Sequence, residues 1–339
     1  MKAKIIYLFS WMTLFIVGLI CLNGLFLRKD AQMKYEHFFE ADHSYDVLFF
    51  GTSHVMDAVY PTELYDKYGI RSYNLGNPAE TLEASYYTMK IAFKYHVPKI
   101  AVIDVAYVDK RQDESRGTMP LSHAFYDAVP FSMTKAEAVF SLFPPDMRAE
   151  FLFPLVSYHM RWEEWLMGTD SPVCECEPYM MGAEMRTGHA EPDPFVRTDR
   201  MNTAETPGKK ALRSMIHLCR KNNVLPVLVG IPFPAPEEKQ AMMNSVAEIA
   251  REEDACFLNL FDVSGLIDFK TDCYDAASHL NPDGAIKVSA YLGEYLKDLI
   301  GEQTSAKDEE DFWRRQVRQY QETLKHMWSE HAFPRKERE

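Results

Sequence analysis

The chain has 339 residues and a formal net charge of −13, a length that suits one large domain or two ordinary ones. Hydrophobic residues make up 47% and charged residues 26%, which excludes wholesale disorder. The acidic balance argues against a nucleic-acid partner, since a phosphate-binding surface needs a basic stripe. Six cysteines are too few for a scaffold built on disulfides.

The N-terminus carries a long apolar run. Residues 5–27 include no formally charged side chain, and as a helix they would reach roughly 34 Å, enough to cross a bilayer core. A secretory signal has a shorter apolar region and a small-residue cleavage site, which is not convincing here. We therefore expect a transmembrane signal anchor over 5–27, with residues 1–4 cytoplasmic and the rest outside. A cleaved signal and a buried core helix are the alternatives.

Strand and helix patterns alternate through the body of the chain. Short apolar runs, typical of strands buried on both faces of a parallel sheet, cover Val47–Phe50, Ile70–Leu75, Ile100–Val105, Val224–Ile231 and Cys256–Phe261. Amphipathic helices are predicted at Pro61–Tyr68, Leu82–Tyr95, Gly208–Asn222 and Glu237–Glu253. The alternation predicts an α/β fold with a doubly wound, five-stranded parallel sheet, whose ligands bind at the carboxyl ends of the strands. Pro226 argues against a central place for the fourth strand.

Two segments depart from this alternation. Residues 109–207 read as a helical and irregular insertion that partly covers one end of the sheet, or as a loosely ordered loop. Ser305–His331 reads as one helix, opened by a capping box of Ser305 and Asp308. Its apolar stripe either packs on the protein's own surface or binds a partner or a membrane surface; the stripe comprises Trp313, Val317, Tyr320, Leu324 and Met327.

Three motifs follow strand ends and carry groups suited to acyl chemistry. Ser53 lies in Gly51–His54, directly after the first strand, where its hydroxyl could act as a nucleophile and its N–H as an oxyanion donor. Gly76 and Asn77 follow the second strand and could add a backbone N–H and a side-chain amide. Each motif taken alone also reads as an ordinary turn before a helix.

The third motif supplies a base. His279 precedes Asn281 and Pro282, a good cap and a good first residue for a helix, so the imidazole is held at the threshold of that helix. Asp275, four residues earlier, is the expected carboxylate for orienting this imidazole. The nearby alternatives are Asp272 and Asp283.

Taken together, the three motifs resemble those of the SGNH (GDSL-like) hydrolase superfamily. GTSH at 51–54 is similar to its first block, NLGN at 74–77 to its second and DAASHLN at 275–281 to its last. The resemblance implies a flavodoxin-like three-layer sandwich, with Ser53 as nucleophile, Gly76 as oxyanion donor and His279 as base. It is closest to the membrane-anchored branch of bacterial envelopes, which is related to accessory proteins of membrane-bound O-acyltransferases.

The resemblance spans roughly residues 46–300, which we expect to form an SGNH-like domain with the insertion at about 109–207. A linker at 28–45 precedes this domain, and an amphipathic helix and tail at 301–339 follow it. Two departures from the superfamily pattern affect the site. The last block normally reads Asp-x-x-His, whereas Asp275 and His279 are four residues apart, which leaves a triad or a Ser–His dyad open. The Gly-x-Asn-Asp block is missing, so a third oxyanion donor must come from elsewhere, with Asn77 the first candidate, or be absent.

These features predict a serine esterase or O-acyltransferase that acts on acylated polysaccharide or peptidoglycan of the cell envelope. The alternative is a catalytically weak scaffold that binds acylated polymer or a membrane-bound O-acyltransferase. A flavodoxin-like nucleotide binder is disfavoured, because no phosphate-cradling glycine loop follows the first strand.

No cofactor is expected for this chemistry. A metal site is not expected either, since Cys174, Cys176 and His189 lack a zinc-ligand spacing. His54, His159 and Arg161 are weaker candidates for contacting substrate.

Overall fold

A five-stranded, wholly parallel sheet forms the centre of the computed structural model. The structure describes residues 2–26, 32–167, 178–190, 196–276, 279–301 and 307–330. The strands lie in the order β2-β1-β3-β4-β5, and they are β1 (Val47–Phe50), β2 (Ser72–Asn74), β3 (Ile100–Asp104), β4 (Leu225–Gly230) and β5 (Cys256–Asn259). The predicted parallel α/β sheet is therefore confirmed.

Helices cover both faces of the sheet. The helices that precede the insertion in the chain are α1 (Lys2–Phe26), α2 (Gln32–Glu40), α3 (Ser53–Ala58), α4 (Pro61–Tyr68) and α5 (Leu82–Ala92). Those after it are α11 (Pro207–Lys221), α12 (Glu237–Asn244), α13 (Val246–Glu252), α14 (Pro282–Ile300) and α15 (Lys307–Glu330). The helix predicted over Glu237–Glu253 is thus two helices, which meet at Ser245.

Alternate strand residues explain the two cores. Leu48 and Phe50 of β1 face the core beneath α5 and α11, whereas Val47 and Phe49 face the core beneath α4 and α14. A strand whose side chains are buried on both faces must be apolar at every position, which is why continuous apolar runs mark this sheet in the sequence. Pro226 is accommodated at the second residue of β4, although that strand lies between β3 and β5.

The predicted insertion is a series of short helices where the structure describes it. These are α6 (His123–Tyr126), α7 (Met133–Leu142), α8 (Arg148–Leu152), α9 (Pro154–Tyr158) and α10 (Trp162–Met167), with 3₁₀ turns at Met119–Ser122, His159–Arg161 and Pro178–Met180. Residues 178–190, called the edge segment below, cross the carboxyl edge of the sheet. The N–H of Asn74 donates to Met181 O (2.9 Å), that of Glu184 to Met56 O (3.2 Å) and that of Ala190 to Cys273 O (3.2 Å). These bonds join the insertion to the loops that follow the strands.

The N-terminal helix α1 occupies most of the predicted anchor. Within the described ranges, no helix combines the length and apolar character that crossing a membrane requires, so the spanning helix predicted over 5–27 is not supported. The linker predicted at 28–45 contains α2, whose residues Tyr35 and Phe38 are fully buried against the domain.

The C-terminal helix α15 packs on the domain through the stripe that the sequence predicts. Trp313 and Tyr320 are fully buried, and the Trp313 ring stacks on Tyr65 of α4 with ring centroids 4.8 Å apart. Among the two readings of this stripe, packing on the protein's own surface is the one observed. The predicted capping residue, Ser305, lies outside the described residues.

We expect Trp313→Ala to lower the free energy of unfolding by about 3–5 kcal/mol, because it empties a buried aromatic site. Trp328→Ala is the matched control in the same helix, since that side chain is 36% exposed, and its effect should stay under about 1 kcal/mol. Urea denaturation of both variants measures the difference. Equal losses would show that α15 does not depend on Trp313 for its docking.

Candidate active site

Ser53 begins helix α3, immediately after the turn that ends β1. Thr52 caps this helix, its hydroxyl accepting the His54 N–H at 3.1 Å. Gly51 has φ of +143°, and a Cβ there would lie 2.6 Å from Cβ of Asp104 at the end of β3. Only glycine therefore lets β1 turn into α3 this close to β3. The turn lies between β1 and β3, where the strand order reverses and ligands of such sheets bind.

The hydroxyl of Ser53 meets the imidazole of His279. The Ser53 Oγ to His279 Nε2 distance is 2.8 Å, although the two residues are 226 positions apart in the chain. His279 lies just before α14, whose cap is the Asn281 side chain, as the sequence predicts. The side chain of His279 is 25% exposed, so the pair is open to a ligand from solvent.

Asp275 contacts the opposite side of the same ring. Its Oδ2 lies 2.5 Å from His279 Nδ1, and its Oδ1 accepts the His279 backbone N–H at 3.1 Å. The four-residue spacing therefore closes a small loop in which one carboxylate holds both the backbone and the ring. A proton on Nδ1 shared with Asp275 leaves Nε2 as the acceptor that faces Ser53.

The other two carboxylates considered from the sequence lie elsewhere. Asp272 is buried and paired with Lys287, whose ammonium is 2.6 Å from Oδ2. Asp283 lies in the first turn of α14, where its N–H is capped by Asn281. Of these three carboxylates, Asp275 is the one that meets the His279 ring.

The predicted oxyanion donors differ from expectation. The Gly76 N–H donates to Asn74 Oδ1 at 3.0 Å, so it is not open towards Ser53. The Asn77 side chain is 2% exposed, with Nδ2 donating to Glu80 Oε2 at 2.5 Å. Among the described residues, none accepts a hydrogen bond from the Ser53 N–H. Of the predicted set, the backbone N–H of Ser53 is therefore the donor left for an oxyanion.

Gly76 instead serves a close contact between the second motif and α3. A Cβ at this position would lie 2.8 Å from Cγ1 of Val55 and 2.9 Å from the carbonyl oxygen of Thr52. Asn74 reinforces the contact, because its Nδ2 donates to the carbonyls of Val55 (2.8 Å) and Val59 (2.9 Å). The second motif thus positions the helix that carries Ser53.

The weaker substrate-contact candidates are not positioned for that role. His54 is only 3% exposed, and its ring packs on Phe233 with centroids 4.2 Å apart. Burial, with the nearby charges of His279 and Lys239, lowers the pKa of His54 to about 3, so its ring is neutral. His54 is buried because it follows Ser53 on α3 and is turned by a further 100° into the core.

His159 and Arg161 lie beside the end of α1. His159 Nδ1 is 3.0 Å from Val156 O, and Arg161 Nη1 donates to Phe26 O at 2.8 Å. Neither of these hydrogen bonds involves Ser53 or His279. The Cys174 and Cys176 positions lie outside the described residues, and within those residues no cluster of His, Cys, Asp and Glu could hold a metal ion.

Asp57 is a group at this site that the sequence reading missed. It follows Ser53 by one helical turn, and its Oδ2 is 3.9 Å from His279 Nε2 and 3.7 Å from Arg186 Nε of the edge segment. The side chain is 1% exposed, and neither oxygen has a hydrogen-bond partner among the described residues. Burial raises the pKa of Asp57 to about 8, with the positive charge of Arg186 opposing the shift. The i+4 spacing from Ser53 was the signal that could have identified it.

Comparison with protein-family models finds no match to this chain. Comparison with curated proteins likewise finds none.

The buried Asp57 makes the stability of the fold depend on pH. The folded protein retains a proton that the unfolded chain releases near pH 3.8, so the free energy of unfolding should fall as the pH rises from there to about 8. Asp57→Asn removes this titration. We expect the free energy of unfolding of the variant, relative to that of the wild type, to rise by about 2–5 kcal/mol from pH 4 to pH 9.

Urea denaturation across this range measures the difference. The other buried carboxylates are present in both proteins and cancel. Asp199→Asn, at a side chain that is 90% exposed, is the control and should show no such trend. A difference between Asp57→Asn and wild type that does not change with pH would contradict the shift.

Proposed function

We propose that the protein is a serine esterase or O-acyltransferase of the SGNH type. The observation that carries the proposal is the contact of Ser53 Oγ with His279 Nε2 at 2.8 Å, on a ring whose other nitrogen is 2.5 Å from Asp275. A serine hydroxyl is a weak nucleophile until a base takes its proton, and this contact offers the base. The sequence resemblance adds the reaction class.

The proposed reaction has two steps. Ser53 Oγ attacks the ester carbonyl while its proton passes to His279 Nε2, and the Ser53 N–H stabilises the oxyanion. The bond from the carbonyl carbon to the alcohol oxygen then breaks, and His279 returns the proton to that oxygen. The acyl group on Ser53 passes to water or to a glycan hydroxyl by the same steps in reverse, with Asp275 holding the ring throughout.

The proposed substrate is an acylated polysaccharide or peptidoglycan of the cell envelope, and the proposed partner is a membrane-bound O-acyltransferase. The proposed location is the outer side of the cytoplasmic membrane. These three assignments rest on the resemblance and on the apolar N-terminal run. No cofactor is needed for the steps above.

The second candidate is a scaffold that binds acylated polymer or an acyltransferase without turning over ester. The engagement of Gly76 N–H by Asn74 and of the Asn77 amide by Glu80 favours it, because an oxyanion hole reduced to one N–H is weak. Removing one such donor typically slows an enzyme by about 10²–10³-fold. Recruitment through the apolar stripe of α15 is disfavoured, since Trp313 and Tyr320 are buried in the protein's own fold.

Labelling with a fluorophosphonate probe separates the two candidates. We expect the full chain to be labelled at Ser53, with labelling lost in Ser53→Ala and reduced by about 10³-fold or more in His279→Ala, since a triad acts as a unit. Hydrolysis of p-nitrophenyl acetate should follow the same order. Ser141→Ala, which changes a serine hydroxyl bonded to Tyr87 outside the site, is the control and should label as wild type does. The absence of labelling from pH 6 to pH 9 would favour the scaffold.

A further inference from the structure

Helix α2, which follows the N-terminal apolar helix, reaches the catalytic edge of the sheet. Lys34 of this helix is only 4% exposed, and its ammonium donates to the carbonyl oxygen of Gly76 at 2.7 Å. The hydroxyl of Tyr73, on β2, donates in turn to the carbonyl oxygen of Lys34. A buried lysine ammonium loses its hydration, and hydrogen bonds such as the one to Gly76 must compensate for that loss.

Lys34 binds the carbonyl side of a peptide group whose N–H side also makes a hydrogen bond. The Gly76 carbonyl belongs to the peptide between Gly76 and Asn77, and the N–H of that peptide donates to Gly51 O at 3.0 Å. Gly51 is two residues before Ser53 and forms the turn that ends β1. The position of this peptide therefore links Lys34 directly to the turn that presents the nucleophile.

The next residue of α2 acts on the same motif. Tyr35 is fully buried, and its hydroxyl donates to Oδ1 of Asn77 and lies 3.4 Å from the Gly76 carbonyl oxygen. Because Oδ1 of Asn77 accepts this bond, Nδ2 of the same amide is turned towards Glu80. Both residues of the second motif are thus oriented by α2.

The charge of Lys34 also balances the buried acids of this edge. Its positive charge lowers the pKa of Asp57 and that of Glu80, against the larger effect of burial on each. The positive charge of Lys34 therefore offsets part of the free-energy cost of any negative charge on Asp57 or Glu80 beside a site where an oxyanion develops.

We propose that Lys34 is a positioning residue for the reaction at Ser53, so that docking of α2 on Gly76 is required for full activity. This inference rests on the proposed serine chemistry. Lys34 acts through the Gly76–Asn77 peptide and does not touch substrate. Activity of the domain then depends on the segment that joins it to the N-terminal apolar helix, and a domain lacking α2 is expected to fold with an ill-positioned site.

The test compares Lys34→Met with a matched control in the full chain. Lys135→Met is that control, because Lys135 is also buried, at 3% exposure, and donates to a backbone carbonyl, that of Val129, at 3.0 Å. The kcat and KM for p-nitrophenyl acetate and the rate of fluorophosphonate labelling are measured, together with the thermal midpoint of each variant.

We expect Lys34→Met to lower kcat and the labelling rate by about 10–100-fold, the size typical of a small misplacement of catalytic groups, with KM changed less than about twofold. Lys34→Arg should recover most of kcat, since it restores a buried cation and donor. Lys135→Met should lower the thermal midpoint by a similar amount and leave kcat within about twofold. Tyr35→Phe removes a single hydroxyl and provides a second test if Lys34→Met does not fold; it should lower kcat by about threefold or more.

The inference is overturned if Lys34→Met keeps its kcat. It is also overturned if Lys135→Met, at a similar loss of thermal midpoint, lowers kcat as much as Lys34→Met does. If the wild type is labelled at Ser53 and Lys34→Met changes neither kcat nor the labelling rate, this inference alone is wrong and the proposed function is unaffected. If the wild type is not labelled at Ser53, both the inference and the proposed function are contradicted.

Discussion

A hydrogen bond between two side chains from opposite ends of the domain defines the site. Ser53 stands at the start of α3 and His279 just before α14, so their contact at 2.8 Å requires the ends of β1 and α14 to be held in fixed positions at one edge of the sheet. A parallel sheet provides this, because its loops at one edge all follow strand ends. The tight turn at Gly51 and the cap at Asn281 then fix the two ends of the bond.

The carboxyl edge of the sheet contains several buried acids, and burial favours their neutral forms. Burial raises the pKa of Asp57 to about 8 and those of Asp104 and Glu80 to about 7. Asp104 accepts the Thr52 hydroxyl and the Ala106 N–H, and Glu80 accepts from Ser85 and Asn77, so both serve the turns around the site. Asp57 is the exception, because it has no such partner among the described residues and lies against the base. Acids whose pKa is strongly shifted are typical of functional sites.

The sequence predicts the sheet, and it places Ser53 and His279 at the edge where they meet, for physical reasons. Runs such as Val47–Phe50 are apolar at every position because both faces are buried, and a serine or histidine after such a run must lie at the ligand-binding edge. Details that depend on side-chain direction were not predictable. His54 adjoins Ser53 in sequence, yet its place on α3 turns it into the core against Phe233. Gly76 carries the expected N–H, but the Asn74 side chain occupies it.

Contacts between segments that are distant in the chain were also not predictable from the sequence. Nothing in the local pattern around Lys34 and Tyr35 indicates a contact with Gly76 and Asn77 some forty residues later. The same holds for the edge segment, whose backbone bonds to Asn74 and Cys273 join residues far apart in the chain.

The protonation of the His279 ring tests the central claim most directly. Nitrogen-15 NMR of histidine-labelled protein, assigned with His279→Gln, reports which ring nitrogen carries the proton. We expect a neutral ring protonated at Nδ1, towards Asp275, with an Nε2 signal that shifts in Ser53→Ala. A ring protonated at Nε2, or an Nε2 signal that ignores the loss of the serine hydroxyl, would contradict it.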